Sequence, residues 1–149
     1  MPKSILIYGS YGGGNYGDEI ILDTILQNLK NECDFSVLVP GDPNEVSRMH
    51  DVNTVPLWSA PPQKTLFGKT TKLLRSSLML NRNVKMYDAV LIGGGNMIMD
   101  LFPKNPWTIF LLCLLSRFHR KKIYFVGCGA GPIYRNTSRI LFRMSLKMA

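Results

Sequence analysis

The chain has 149 residues, of which 46% are hydrophobic, and it carries a formal net charge of +8 at pH 7. This length suits one ordinary hydrophobic core and leaves no room for two full domains. The longest apolar run, 107–115, is far shorter than the roughly 20 residues that a helix needs to cross a bilayer, so we expect neither a membrane span nor a signal peptide. We therefore expect a cytoplasmic chain. Its three cysteines and two histidines share no short spacing typical of a metal or redox site, so no metal is expected.

The charge is distributed unevenly along the chain. Residues 1–51 contain eight acids and three bases, a net charge of −5, whereas residues 52–149 contain two acids and fifteen bases, a net charge of +13. This asymmetry suggests an anionic partner, and a phosphorylated substrate, an acidic membrane surface, nucleic acid or an acidic further domain would each satisfy it. We expect no nucleic-acid partner. The basic segment 64–85 is expected to be a solvated face, with adhesion to an RNA or to an anionic membrane, as a peripheral contact to the inner membrane face, as the alternative.

The hydrophobic pattern predicts strands that alternate with helices. A buried strand is predicted over 3–8 and is followed by a glycine loop and a helix with Ile20, Ile21 and Ile25 on its apolar side. Further on, the pattern predicts strands over 35–39, 52–56, 87–92 and 122–126, with helices over 44–50, 65–80, 107–118 and from 137 onward. An N-capped turn is predicted at 40–43 and a proline-rich loop at 57–63.

This alternation predicts the α/β class, with a Rossmann-like, doubly wound parallel sheet. In the common strand order, the strands that end at Tyr8 and Ile92 are neighbours, and the strand that ends at Val126 lies beside the latter. Each of these three strands runs into a glycine-rich loop. The three loops are therefore expected to line one crevice at the carboxyl edge of the sheet.

The first glycine loop formally satisfies the dinucleotide fingerprint with Gly12, Gly14 and Gly17. The match is poor, because the first of these glycines lies four residues past the strand and no acid ends the second strand. Asp18 and Glu19 would occupy the first helical turn and cap the N–H groups that should bind a pyrophosphate. The pattern therefore favours a neutral, hydroxyl-rich ligand. The alternative is that Asp18 is only an N-cap and the glycines only a turn.

The other two loops differ in charge. The second contains Gly93 to Asn96 with Asp100 beyond it, and close backbone packing plus a helix cap is the alternative to ligand binding. The third, 127–132, lacks acids and leads toward Arg135 and Arg139, which makes it the better anion site of the three.

The histidine and cysteine side chains do not form a recognisable catalytic pattern in this sequence. His50 and His119 are each expected at the surface, because neither stands in a recognisable pattern with a serine, a cysteine or a carboxylate. Cys128 lies between glycines at a strand end, and a packing role is expected for it.

In order and spacing the three loops resemble the polysaccharide pyruvyl transferase family. The resemblance covers nearly the whole chain, although Cys128 and Ala130 depart from the family pattern in the third loop. It implies that Asp18 helps to position the acceptor sugar. The residues expected to bind substrate are Gly12, Gly14, Asn15, Gly17, Glu19, Gly93, Gly94, Gly95, Asn96, Asp100, Gly129 and Gly131.

The resemblance also implies a fold and a reaction. Members of the family look like two-domain transferases of the GT-B type, and they transfer a pyruvyl group from phosphoenolpyruvate onto two sugar hydroxyls. The products are a cyclic ketal on a cell-surface polysaccharide and free phosphate. Phosphoenolpyruvate is the donor substrate and no separate cofactor is implied, while the acceptor is a sugar or a lipid-linked saccharide.

The family places most of its catalytic histidine and arginine residues in a second domain. Residues 1–149 are therefore expected to form the N-terminal half alone, inactive by itself and completed by a C-terminal domain. The alternative is a non-catalytic Rossmann-like module that binds a sugar, a nucleotide or a partner protein. A dinucleotide-dependent oxidoreductase is the third hypothesis.

Overall fold

The computed structural model describes residues 3–40, 42–57 and 66–149. Five strands and five helices alternate in this part of the chain: β1 (Lys3–Tyr8), α1 (Tyr16–Leu29), β2 (Cys33–Val39), α2 (Pro43–His50), β3 (Asn53–Pro56), α3 (Leu66–Met86), β4 (Ala89–Gly93), α4 (Asn105–Phe118), β5 (Lys122–Val126) and α5 (Asn136–Met148). Most of the predicted loop at 57–63 lies outside the described residues. The predicted elements agree with these bounds to within a few residues, except that α3 extends six residues beyond its predicted end.

The five strands form one parallel sheet in the order β3-β2-β1-β4-β5. This order confirms the predicted α/β fold, because β1 lies between β2 and β4 and the strand order reverses there. The carboxyl ends of β1, β4 and β5 are adjacent, with Tyr8 level with Ile92 and Gly93 level with Val126. The three glycine loops consequently leave the sheet side by side.

Helices cover both faces of the sheet and create two hydrophobic cores. On one face α1 and α2 contribute Leu22, Ile25 and Val46. On the other face α3, α4 and α5 pack against the sheet with side chains that include Val84, Leu112 and Phe142. Right-handed crossovers on either side of the switch point account for this division.

The side chain of Ile20, expected on the apolar side of the first helix, is exposed instead. Ile20 of α1 is 63% exposed because Leu22 and Ile25 form the buried stripe of that helix. Leu78 of α3 also faces solvent, whereas Leu80 and Val84 of that helix lie in the core. In the described ranges no helix is both long enough and apolar enough to cross a bilayer.

Candidate functional site

Tyr11 fixes the first glycine loop (residues 9–15) to the end of β4. Its side chain is buried, and its hydroxyl donates a hydrogen bond to the carbonyl oxygen of Gly93 at 2.7 Å. The ring fills the space where a Cβ of Gly9 or Gly94 would stand, at 2.5 Å. Burial, together with the nearby Cys128 and Asp18, raises the pKa of the Tyr11 phenol, so it remains a hydrogen-bond donor. The first and second loops are thereby joined.

Asp18 lies where the first loop meets the second loop (residues 93–100). Its side chain accepts a hydrogen bond from Asn15 Nδ2 at 3.0 Å, and a Cβ on Gly95 would lie 2.7 Å from its carboxyl carbon. The helix cap itself is Asn15, whose side chain accepts a hydrogen bond from the Gly17 N–H, so the alternative that made Asp18 the N-cap is wrong. Asp18 is therefore not the capping residue of α1, and its carboxylate is bonded by the side chain of Asn15 instead.

The environment of Asp18 makes its carboxylate a stronger base than an exposed aspartate. Burial raises the pKa of this carboxyl above its usual range, and the neighbouring Glu19 adds to the shift. Hydrogen bonds from Asn15 and Ser10 oppose it without cancelling it. Only 6% of Asp18 is exposed, although Asn15 and Gly14 directly above it are open to solvent. A carboxyl group at a strand-end crevice with a raised pKa is suited to proton transfer.

A chain of hydrogen bonds behind the first loop joins α1 to α2. Glu19 accepts from the N–H of Gly12 at 2.8 Å with one oxygen and lies 2.7 Å from His50 Nε2 with the other. His50 Nδ1 lies 2.6 Å from Asp23 on the next turn of α1. Glu19 therefore supports the first loop from behind, because both of its carboxylate oxygens are engaged and only 5% of the residue is exposed.

The expectation that His50 is a surface residue is wrong. Only 2% of its side chain is exposed, and it bridges two carboxylates. Burial opposes protonation, but the hydrogen bonds and charges of Asp23 and Glu19 outweigh it and raise the pKa of His50. His119 is half-buried, with Nε2 2.8 Å from Asn81 Oδ1.

The second loop and the third loop (residues 127–135) are bound together by their backbones. The N–H of Gly129 donates to the carbonyl of Gly95 at 2.8 Å, and the N–H of Gly131 donates to that of Ile98 at 3.0 Å. The Ile98 N–H donates in return to Gly129, and an isolated parallel bridge pairs Ile98 with Ala130. The amides of Gly129 and Gly131, which were expected to bind substrate, are thus engaged within the protein.

Asp100 occupies the position where an anion was expected. Its carboxylate accepts from the backbone N–H groups of Tyr134 at 3.0 Å and Arg135 at 2.7 Å, at the amino end of α5. The hydrogen bond from Tyr134 is the main reason that the pKa of Asp100 lies below its usual range. The prediction of an anion site in the third loop is therefore corrected, because the Gly129 and Gly131 amides are engaged within the protein and Asp100 holds the two backbone N–H groups that directly precede α5. The close backbone packing that was part of the alternative for the second loop is present, whereas α5 has no hydrogen bond from a capping side chain.

The remaining predicted residues form the rim of the crevice. Asn15 and Asn96 are exposed amides on the first and second loops. Positive φ angles at Gly12, Gly14, Gly94 and Gly95, between 73° and 81°, explain why glycine stands at these turns. Cys128 donates a thiol hydrogen bond to the carbonyl of Ile92 at 3.2 Å, and burial raises its pKa, as suits a packing role.

A second concavity lies at the opposite, amino edge of the sheet. Its volume is about 420 Å³, and its walls include Asp23, Lys30, Asp34 and His50. It is separate from the three glycine loops, and of the hydrogen-bonded residues Glu19, His50 and Asp23 it contacts only His50 and Asp23. Among the residues that the structure describes, no group of three His, Cys, Asp or Glu side chains is placed to hold a metal ion.

Three solved structures of other proteins have a similar fold. Anabaena HepE in complex with UDP superposes with a TM-score of 0.59 at 12% identity over 98% of this chain and 35% of its own. Acinetobacter baumannii MurG gives 0.53 at 17% identity over 83% of this chain and 33% of its own. Neisseria meningitidis UDP-GlcNAc 2-epimerase, bound to UDP-GlcNAc, gives 0.56 at 14% identity over 96% of this chain and 38% of its own. This chain spans little more than a third of their length.

The fold and its three-loop crevice define a Rossmann-like α/β domain of the GT-B type. A comparison with curated proteins gives no match. The family model of polysaccharide pyruvyl transferase matches residues 15–149, so the chain belongs to that family.

Proposed function

We propose that this domain forms the acceptor side of a transferase that moves a pyruvyl group from phosphoenolpyruvate onto two hydroxyls of a sugar. The observation that carries the proposal is the Asp18 carboxyl, which is buried where two glycine loops meet and has a raised pKa. A group of this kind binds a sugar hydroxyl and takes its proton. The family match supports the reaction class.

The reaction balances, because the two protons lost by the sugar hydroxyls equal the one gained by the methylene carbon and the one that leaves with the phosphate. One sugar oxygen adds to the central carbon of phosphoenolpyruvate while the methylene carbon gains a proton and becomes a methyl group. The second sugar oxygen displaces phosphate from the same carbon, which closes the ketal, and its proton leaves with the phosphate. In our proposal Asp18 accepts the proton of one attacking hydroxyl and passes it on before the next turnover, and Asn15 and Asn96 orient the sugar at the rim.

We propose further that arginine and histidine residues of a second domain bind the donor and protonate its methylene carbon. The proposed product belongs to a cell-surface polysaccharide, with assembly on the cytoplasmic side of the membrane. Phosphoenolpyruvate carries a carboxylate and a phosphate, and the Asp100 carboxylate beside the amino end of α5 disfavours the binding of these anions there.

The test is phosphate release from phosphoenolpyruvate by the complete transferase that contains this domain, with and without a saccharide acceptor. Asp18→Asn keeps the size of the side chain and removes the base, so kcat/KM should fall by a factor of about 100 or more. Asp34→Asn, on an exposed acid at the amino end of β2, is the control and should leave turnover unchanged. Unchanged turnover in folded Asp18→Asn would refute the assignment.

The second candidate function is a binding module for a nucleotide sugar. It is favoured by the similarity of the fold to HepE in complex with UDP and to the epimerase bound to UDP-GlcNAc. It predicts saturable binding of UDP-sugars to residues 1–149 in calorimetry. The carboxylates of Asp18 and Glu19 in the first turn of α1 argue against a diphosphate there.

A further inference from the structure

The outward face of α4 is apolar although it faces solvent. The inward face contributes Ile109, Leu112 and Cys113 to the core. Trp107, Leu114 and Phe118 recur at helical spacing on the other face, and Leu101 and Phe102 precede the helix. These five residues, here called the apolar belt, are each 46–78% exposed. A helix of a soluble domain normally presents polar side chains on this face.

Basic side chains surround the apolar belt. The helix α4 lies between α3 and α5 in one layer, and exposed bases flank it on both sides. They include Arg75, Arg82 and Lys85 on α3, Arg117 on α4, and Arg139, Arg143 and Lys147 on α5.

Carboxylates are missing from this surface. Residues 75–149 contain twelve lysines and arginines and only two acids, Asp88 and Asp100. Asp100 is buried, and Asp88 bonds Ser4 at the amino end of the sheet. The outward side chains of α3 from Arg75 onward, α4 and α5 therefore include no acid.

We propose that the layer formed by α3, α4 and α5 docks on an anionic lipid bilayer, with α4 parallel to the membrane plane and the apolar belt inserted among the lipids. An anionic surface with an apolar interior complements both features of this layer. At 14 residues α4 is too short to span the bilayer, and Trp107 suits the level of the headgroups.

Self-association of this face is disfavoured by its charge. A two-fold dimer through the layer would place the bases of one copy against those of the other, without a single carboxylate on α4 or α5 to compensate. The apolar belt begins next to the crevice, because its residue Leu101 directly follows Asp100 of the second loop. If the proposed function holds, docking brings the crevice close to a lipid-linked acceptor.

The experiment is flotation of the 149-residue chain with vesicles of phosphatidylcholine alone and with vesicles that also contain phosphatidylglycerol. We expect binding to the second kind only. Phe118→Asp should weaken it at least about tenfold, because a phenyl ring no longer enters the lipid. Ile20→Asp is the matched control, since Ile20 is an exposed apolar residue on the opposite face of the sheet. Circular dichroism checks that both variants fold.

A second measurement reports insertion directly. The chain has two tryptophans, so Trp58→Phe leaves Trp107 as the single fluorophore. Its emission should shift to the blue with phosphatidylglycerol vesicles and be quenched by brominated acyl chains. The proposal is overturned by absence of binding, by equal loss in Ile20→Asp, or by charge-only adhesion in which Phe118→Asp binds normally. It is also overturned if Phe118→Asp dissociates a dimer in light scattering without lipid. None of these readouts depends on transferase activity.

Discussion

Replacement of His50 by alanine should reveal how strongly the first glycine loop is held. The structure describes two partners of the buried Glu19 carboxylate, His50 and the Gly12 N–H at 2.8 Å. After the change only the Gly12 N–H remains of these two. Removal of one partner from a buried ion pair costs about 3–5 kcal/mol, so we expect a loss near the lower figure because a small side chain can admit water. Asp23 is half-exposed, and Asp23→Asn should cost less than about 1 kcal/mol.

The stability difference between wild type and His50→Ala should depend on pH, and its direction follows from the pKa of His50. The pKa of His50 is raised in the folded state by Asp23 and Glu19 against the effect of burial. A histidine with a raised pKa stabilises the fold fully below its unfolded pKa of about 6.5, and the contribution disappears as the pH rises through the folded pKa. Wild type should therefore lose stability relative to His50→Ala on going from about pH 6 to about pH 9.

The assay is urea unfolding of the chain, followed by circular dichroism, in a double-mutant cycle of Glu19→Gln, His50→Ala and the double variant. We expect a coupling free energy of about 2 kcal/mol at about pH 6, the usual size for a hydrogen bond between charged groups, and a smaller one at about pH 9. A coupling below about 0.5 kcal/mol, or one that grows with pH, would refute the conclusion that Glu19 raises the pKa of His50 and is stabilised by it.

Three further predictions follow from the packing of the loops and the core. Gly95→Ala should destabilise the chain by about 1–3 kcal/mol more than Gly14→Ala in urea unfolding, because both have φ near 75° but only Gly95 abuts Asp18; equal losses would contradict this. Asp100→Asn should lower the melting temperature at neutral pH and make the melting temperature fall less steeply as the pH is lowered. The reason is that a carboxyl group with a lowered pKa stabilises the fold above about pH 4, and this stabilisation is lost as the pH falls through the folded pKa. The Cys113 thiol is buried with a pKa raised to about 12, so thiol labelling followed by mass spectrometry should modify it only on unfolding, and rapid native labelling would count against the described core.

The sequence predicts the fold well because buried parallel strands and amphipathic helices differ in hydrophobic period. It also places the three glycine loops at one edge, since topology alone brings the ends of β1, β4 and β5 together. The errors concern side chains whose partners are distant in sequence. Asp100 contacts residues 34 and 35 positions further on, and His50 bonds residues 27 and 31 positions earlier.

One signal in the sequence could have located the buried histidine. Glu19 and Asp23 are four residues apart on α1, so their carboxylates share one face of that helix. Right-handed crossovers place α1 and α2 on the same side of the sheet, which brings the end of α2 toward that face. Spacing alone does not decide which side chain is buried, because Ile20, five residues from the buried Ile25, faces solvent.

The contacts between loops restrict how this crevice can change during evolution. A Cβ at Gly129 would collide with Asn96, and a Cβ at Gly131 would lie 2.7 Å from the end of Met99. Each glycine is thus matched to one side chain on the neighbouring loop. A larger residue at either position requires its counterpart to shrink or to move aside, so we expect paired substitutions at 96 with 129 and at 99 with 131 among homologues. New ligand specificity is then expected to arise from the exposed first loop.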